Sequence, residues 1–165
     1  MPEASERSFE AFYRTEYAAV VRIAFALTGR REVAEELAQD AFLACHQRWA
    51  SVSQYENPGA WTRRVVTNRC VSSGRRHLTE LRLVARLRRE RAPQPALSSD
   101  TEHLWAIVRG LPKRQAQTLA LAFVEDLSVR DIGETLGIGE ESVRTHLRRG
   151  RAAVAAKLKE MSADA

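Results

Sequence analysis

Apolar residues recur along this chain at intervals of three and four, the spacing of one face of an α-helix. The amino-terminal half carries three such segments, at about 9–29, 31–50 and 57–76, with a polar loop expected at 51–56. Gly29 is expected to end the first helix, and Asn57 is expected to cap the third ahead of a proline. The alternation typical of a half-buried strand is missing, so the pattern predicts an all-α protein.

The carboxy-terminal half repeats the helical pattern after a break. Two prolines among small polar residues at 92–99 are typical of a linker. Beyond it, helices are predicted at about 100–111, 113–123, 128–136 and 140–160, with Asp100 and Ser128 as N-caps. The residues that the last helix is expected to bury are Val143, Leu147, Val154 and Leu158. We therefore predict a helical domain at 8–77, a basic, proline-containing linker at 78–99 and a second helical domain at 100–160.

Composition and charge limit the classes of function that the chain can have. The 165 residues suit one or two small domains, and the net charge of +5 arises entirely at 75–91, which holds 7 Arg against 2 Glu. Residues 142–159 carry six basic residues and no acid, so one helix also concentrates cations. Such segments attract phosphate backbones, although they also occur as solvated helices. Apolar runs fall short of the ~20 residues that span a bilayer, and acids near the amino terminus disfavour a secretion signal, so we expect a cytoplasmic protein without membrane contact.

The predicted 128–136 helix, the glycine-containing turn and the basic last helix form a helix-turn-helix pattern, whose second helix fits the DNA major groove. If Val143 faces the core, Arg148 and Thr145 face outward with Arg144 and Arg149 on the flanks. Guanidinium groups can pair bidentately with guanine, which makes Arg144 and Arg148 the base-reading candidates. The alternative is a basic helix that is merely solvated, and the turn and the charge asymmetry favour DNA.

Two further helix faces carry residues suited to binding a partner. Opposite its apolar stripe, the second helix presents acids and amides around one leucine, a composition that fits a docking surface and a plain solvated face equally well: Glu36, Gln39, Asp40, Leu43 and Gln47. The third helix carries arginines and an asparagine beside the 51–57 loop, a combination suited to single-stranded or melted DNA: Arg63, Arg64, Asn68 and Arg69. Trp61 on the same helix is expected to lie in the core. Cys45 and Cys70 occupy apolar positions without metal-ligand spacing and are expected to be buried thiols.

With these residues in view, the chain resembles the extracytoplasmic-function (ECF) class of bacterial RNA polymerase sigma factors over about residues 8–160. The segment Ala34–Leu43 (AEELAQDAFL) and Pro58-Gly59-Ala60-Trp61 resemble the family's region 2. The motifs that resemble region 4 are Leu111-Pro112, Leu127-Ser128, Leu136-Gly137-Ile138, Ser142-Val143-Arg144 and Arg149-Gly150-Arg151. Gly133 and Gly150 depart from the alanine that the family favours, which is expected to loosen region 4 slightly.

The resemblance implies a role for each face. Glu36, Gln39, Asp40 and Leu43 would dock on the clamp of the largest subunit of core RNA polymerase. The residues implied in minus-ten recognition and promoter opening are Arg63, Arg64, Asn68 and Arg69. The residues implied in minus-thirty-five recognition are Ser142, Arg144, Thr145, Arg148 and Arg149. An anti-sigma factor is a further candidate partner, and whether one binds stays open at this point.

Two other function classes compete with this interpretation. A stand-alone helix-turn-helix regulator of the response-regulator output type also has a segment like Ser142–His146, but it needs no acidic amino-terminal face. An enzyme requires a nucleophile with its base, a metal cluster or a phosphate loop, and the scattered histidines show none of these spacings. We therefore expect a non-enzymatic protein with no cofactor and no metal.

Overall fold

The computed structural model describes residues 8–84 and 99–164, with side chains as far as residue 72 and again from residue 100. All regular structure in these ranges is helical, which confirms the all-α prediction. In chain order the helices are α1 (Phe9–Thr28), α2 (Arg31–Gln47), α3 (Trp49–Val52), α4 (Pro58–Val84), α5 (Ser99–Arg109), α6 (Lys113–Val124), α7 (Val129–Leu136) and α8 (Glu140–Ala163). Of the predicted linker, residues 78–84 continue α4 and residues 85–98 lie outside the described ranges. Among the described residues, none of the helices is long and apolar enough to cross a membrane.

Three of the capping residues expected from the sequence set helix ends. Gly29 adopts a left-handed conformation with φ 69° and ends α1, a geometry that glycine adopts without strain. The Asn57 Oδ1 atom accepts a hydrogen bond from the Ala60 amide at 3.0 Å, and Ser128 Oγ accepts one from the Asp131 amide at 3.1 Å. The prediction that Asp100 is an N-cap was wrong. α5 begins at Ser99, so the Asp100 carboxylate lies in the first turn, where its negative charge interacts favourably with the positive end of the helix dipole.

The second predicted helix is interrupted before its expected end. α2 stops at Gln47 because Arg48 leaves the helical region, with φ −114° and ψ 16°. A single turn, α3, then occupies part of the segment that was predicted to be a polar loop. Val52 in this turn is fully buried. Burial of this apolar side chain favours a packed turn here, although the neighbouring residues are polar.

The amino-terminal bundle packs α1, α2 and α4 against one another. Its core contains the apolar stripe of α2, including Ala34, Ala38 and Phe42, and the Phe42 ring meets Tyr13 edge-on at 4.9 Å between centroids. This packing leaves the opposite face of α2 to solvent.

The cysteines and the tryptophan of this bundle differ in how far they are enclosed. Cys45 and Cys70 are free, fully buried thiols, as expected. Burial raises the pKa of Cys70 to about 12 and also raises the pKa of Cys45, so both thiols behave as small apolar groups. Trp61 is half-buried rather than enclosed in the core.

In the carboxy-terminal bundle α8 packs on α5, α6 and α7. Val143 and Leu147 are buried as predicted and Val154 is half-buried, but the expectation for Leu158 was wrong because its residue surface stays 37% exposed. Leu158 lines an apolar groove of about 420 Å³ that α5, α6 and α8 leave open.

Gly133 and Gly150, which were expected to loosen this bundle slightly, lie where neighbouring atoms approach the backbone closely. A Cβ atom at 150 would lie 2.9 Å from Leu119 Cδ1, and one at 133 would lie 2.8 Å from the carbonyl oxygen of Ile138. Gly133 therefore permits the 137–139 turn to lie close to α7, and Gly150 permits α8 to lie close to α6.

The two bundles contact each other in this structure. α1 packs on α5 and α6, and α4 packs on α7. Buried apolar residues of both bundles, Val66 and Cys70 on one side and Ile132 and Leu136 on the other, belong to one continuous core cluster. The sequence pattern, which identified each bundle separately, did not indicate this contact.

Candidate nucleic-acid and polymerase interfaces

The helix-turn-helix is formed by α7, the turn at 137–139 and α8. Ser128 holds the start of α7, and Gly137 ends it in the left-handed conformation with φ 67°. The Ile138 amide donates a hydrogen bond to the Gly133 carbonyl at 3.0 Å, which folds the turn back on α7. Val143 and Leu147 then anchor α8 by burial and fix which of its faces points outward.

The outward face of α8 carries the cations predicted to meet DNA. Ser142, Arg144, Arg148 and Arg149 are exposed, and Thr145 is half-buried. Arg144 is held by acids one turn earlier, with its Nη2 atom 2.9 Å from Glu140 Oε2 and its Nη1 atom 3.7 Å from Glu141 Oε2. Arg148 and Arg149 have no carboxylate within ion-pair distance in the described part of the chain. They are therefore the more available guanidinium groups for phosphate or guanine.

A cation that the sequence analysis did not single out lies beside this face. Arg114, on α6, contributes with Arg149 to the positive potential around His146. Burial, Arg114 and Arg149, in that order, lower the pKa of His146, which favours the neutral imidazole. Only the packing of α6 on α8 brings Arg114 here, so no local signal in the sequence could have identified it.

The α2 face has the composition of a docking surface and is open to solvent. Glu36 and Gln39 are exposed, and Leu43 is 56% exposed. Asp40 is half-buried, with its Oδ2 atom 3.7 Å from Arg69 Nη1 on α4. An exposed leucine ringed by acids and amides gives a partner an apolar anchor with a polar rim.

The four α4 residues predicted to contact the minus-ten element have different environments. Arg69 is exposed and faces Asp40, whereas Arg63 has only 14% of its side chain exposed and places Nη2 2.7 Å from Glu16 Oε2. Arg64 is exposed and its guanidinium packs on Gly137 in the helix-turn-helix. Asn68 is half-buried, and its Oδ1 atom accepts a hydrogen bond from Gln117 Nε2 on α6 at 3.0 Å. The structure thus places these residues along one helix, with Arg64 and Asn68 against the carboxy-terminal bundle.

Among the described residues, no group of three His, Cys, Asp or Glu side chains is arranged to hold a metal ion. The arrangement offers binding surfaces: cations for nucleic acid on α8 and α4, and an acidic face with an apolar centre on α2.

Comparison with known proteins agrees with this division. Residues 12–79 match Sigma-70 region 2, and residues 102–154 match Sigma-70 region 4. These two ranges together cover well over half of the chain and correspond to the amino-terminal and carboxy-terminal bundles.

Individual relatives belong to the same group. The chain is 29% identical over 167 residues to the ECF RNA polymerase sigma factor SigE of Mycolicibacterium smegmatis, covering 90% of this chain and 61% of that relative. It is 25% identical over 163 residues to the RNA polymerase sigma-E factor of Streptomyces avermitilis, covering 95% and 88% respectively. Among solved structures, the chain shares its fold with the sigma factor RpoE of Bartonella quintana, which was solved in complex with the anti-sigma factor NepR. The TM-score is 0.70 at 21% identity, and the match covers 92% of this chain and 96% of that chain. The chain therefore belongs to the ECF class of RNA polymerase sigma factors, the promoter-directing proteins of the sigma-70 family.

Proposed function

We propose that this chain binds core RNA polymerase through the exposed face of α2 and directs it to promoters that both bundles contact. In this proposal Glu36, Gln39, Asp40 and Leu43 dock on the clamp of the largest polymerase subunit. The observation that carries it is Leu43, a large apolar side chain left open among acids and amides on a helix whose other face is tightly packed. Transcription takes place in the cytoplasm of bacteria, which is where we propose the chain acts.

Minus-thirty-five recognition is proposed for Ser142, Arg144, Thr145, Arg148 and Arg149 on α8. The buried anchors Val143 and Leu147 aim these side chains away from the core, as major-groove reading requires. Minus-ten recognition is proposed for Arg63, Arg64, Asn68 and Arg69 on α4. Arg63 is the least available of the four, because its guanidinium is engaged by Glu16.

The mechanism needs no covalent chemistry. Contacts to unstacked bases and to phosphates offset the few kcal/mol that unpairing costs, while the polymerase holds both sides of the opened duplex. A stand-alone regulator of the response-regulator output type does not explain the region 2 match or the α2 face. We accordingly propose a binding function rather than an enzymatic one.

Run-off transcription with purified core polymerase and a promoter library tests the proposal. The wild-type chain is expected to produce transcripts from a subset of promoters that share a sequence. Leu43→Ser should abolish this activity, whereas Met161→Ser, which removes a similarly exposed apolar side chain at the end of α8, should retain it. Transcription that is absent with wild type, or equal in both variants, would contradict the proposal.

An anti-sigma factor is also proposed as a partner. The support is the structural neighbour, a sigma factor solved in complex with the anti-sigma factor NepR, whose fold this chain shares across nearly its whole length. A candidate anti-sigma protein should inhibit run-off transcription in a one-to-one titration. Transcription that continues at saturating candidate protein would count against that candidate.

A further inference from the structure

The outward face of α8 has two flanks that carry different cations. At about 100° per residue, Arg144 and Arg148 lie about 100° and 140° round the helix from the buried Val143. Arg149 and His146 lie about 240° and 300° round on the same scale, which is the other flank. A helix with its side chains is about 10–12 Å across and the major groove is about 12 Å wide, so each flank of a helix in the groove faces one sugar-phosphate backbone.

α6 packs against α8 beside the second flank. A Cβ atom at position 150 would lie 3.5 Å from Gln115 Cβ, so the two helices approach closely at this point. His146 lies one helical turn before Gly150, and Arg114 immediately precedes Gln115. The Arg114 and Arg149 charges both act on the His146 imidazole, which agrees with this placement. Two helices therefore bring three basic side chains to one flank.

The Arg114 guanidinium is held from the protein interior. Its Nη1 atom donates a hydrogen bond to Gln117 Oε1 at 3.1 Å, and Gln117 is fully buried. A guanidinium has five N–H donors, so this contact orients the group and leaves other donors for a ligand. The Arg114 side chain is half-buried and is already ordered before a ligand arrives, which reduces the entropic cost of binding.

This group of basic side chains lacks a counter-ion within the residues that the structure describes. No Asp or Glu oxygen there lies within ion-pair distance of Arg114, His146 or Arg149. Arg144 on the other flank differs, because its Nη2 atom lies 2.9 Å from Glu140 Oε2. Like charges brought together without an acid repel one another, and a bound anion relieves that repulsion.

We propose that Arg114, His146 and Arg149 bind one backbone phosphate of duplex DNA on this flank of α8. Arg114 and His146 are additions to the DNA-binding residues proposed above, and the site rests on the proposed minus-thirty-five role of α8. A phosphate here supplies the missing negative charge and accepts N–H donors from two helices. Because phosphate contacts carry no base information, the site fixes the position of α8 along the groove and does not select a sequence.

The site makes duplex binding depend on pH. Burial, Arg114 and Arg149 lower the pKa of His146, so its imidazole is neutral near pH 7 in the free chain. A bound phosphate favours the imidazolium and raises this pKa, so DNA binding takes up a proton. The affinity therefore rises as the pH falls from the raised pKa toward the lowered one, by at most about 10-fold per pH unit for one proton.

A salt series tests the Arg114 contact on the full chain. Fluorescence anisotropy measures the association constant for a labelled duplex of mixed sequence over about 50–200 mM salt, since a phosphate contact needs no promoter. Arg114→Gln should weaken binding and reduce the magnitude of the slope of log K against log salt by about 0.9, the value for one phosphate. Wild type should then lose roughly 3- to 4-fold more affinity than the variant over this range.

Arg130→Gln is the matched control for the lost charge. It removes an arginine of the same bundle, on α7, whose Nε atom lies 3.2 Å from Glu134 Oε1. Because this guanidinium already has a carboxylate partner, the slope for Arg130→Gln should stay close to that of wild type.

A pH series at fixed salt tests His146. Wild-type affinity should rise between about pH 8 and pH 6. His146→Gln should remove this rise, and His146→Arg, which carries a fixed positive charge, should bind at about pH 8 at least as tightly as wild type binds at about pH 6. A purely structural role for His146 would change the affinity of His146→Gln and leave its pH dependence as in wild type.

The outcomes separate the phosphate site from the proposed function. An unchanged salt slope in Arg114→Gln, or equal pH dependence in wild type and His146→Gln, would overturn the site. Absence of duplex binding by wild type at about 50 mM salt would overturn it as well. Failure of wild type in run-off transcription would instead overturn the proposed function, because the mixed-sequence duplex requires neither polymerase nor promoter.

Discussion

A methyl group added at position 133 would test how the turn of the helix-turn-helix is built. A Cβ atom on Gly133 would lie 2.8 Å from the carbonyl oxygen of Ile138 and 3.8 Å from Val143 Cγ2. The obstacle is backbone, and the hydrogen bond from the Ile138 amide to the Gly133 carbonyl holds this part of the turn against α7. Gly133→Ala must therefore move the turn itself, which sets the orientation of α8.

Two opposing effects determine the size of the change. Alanine in place of glycine inside a helix stabilises by about 1 kcal/mol, because glycine loses more backbone freedom on folding. Overpacking against a neighbour that cannot rotate away costs about 1–3 kcal/mol. We expect the second effect to prevail and the free energy of unfolding to fall by about 1 kcal/mol, equivalent to a decrease in Tm of roughly 2–4 °C for a chain of this size.

Urea unfolding followed by circular dichroism measures this difference. Gly150→Ala is the matched comparison, since its Cβ atom would meet the Leu119 side chain, which can shift, rather than a carbonyl oxygen. The loss should be smaller for Gly150→Ala than for Gly133→Ala. If Gly133→Ala raised the free energy of unfolding by about 1 kcal/mol, helix propensity alone would govern this site and the reasoning from the turn would be refuted.

Other predictions concern binding and pH. Arg148→Ala should reduce the binding free energy by about 1–3 kcal/mol at one promoter position, measured in a binding assay with holoenzyme. A greater loss of binding for Arg144→Ala would contradict the view that pairing with acids makes Arg144 less available. Asp40→Lys should abolish polymerase binding in a pull-down while leaving Tm unchanged, because its surface pair adds little stability; Glu32→Lys on the same helix should still bind. The pKa of Cys70 is raised to about 12, so folding favours the protonated thiol and the free energy of unfolding should fall by about 1.4 kcal/mol per pH unit as pH rises from about 9 toward 12. Cys70→Val should remove that part of the slope in alkaline urea titrations, and an unchanged slope would rule out this thiol as its cause.

Local patterns along the chain were sufficient to predict most of the helices. Residues three and four apart share a helix face, so the apolar spacing alone identified the buried side of α2 and most of the buried side of α8. Gly29, Asn57 and Ser128 were identifiable because capping is a short-range interaction between neighbours in sequence. The same periodicity placed Leu43 and Arg148 on exposed faces, which is why the candidate surfaces could be predicted as sets of residues.

Long-range packing determined what those patterns could not. Val52 is buried although its neighbours are polar, and Leu158 is exposed although it continues an apolar stripe, because each outcome depends on which other parts of the chain pack against that position. Gly133 and Gly150 looked like weak points by helix propensity, and only the distances to Ile138 and Leu119 show that they permit close packing.

The sequence alone therefore determined the helices, their faces and the types of side chain available for binding, since these follow from the order of neighbouring residues. The tertiary structure decided which of those side chains are accessible. Arg63 is engaged by Glu16, and Asn68 by Gln117, which lies 49 positions away along the chain. No local rule predicts such a pair, because its distance depends on how two bundles dock, and that depends on the summed packing of surfaces from both halves of the chain.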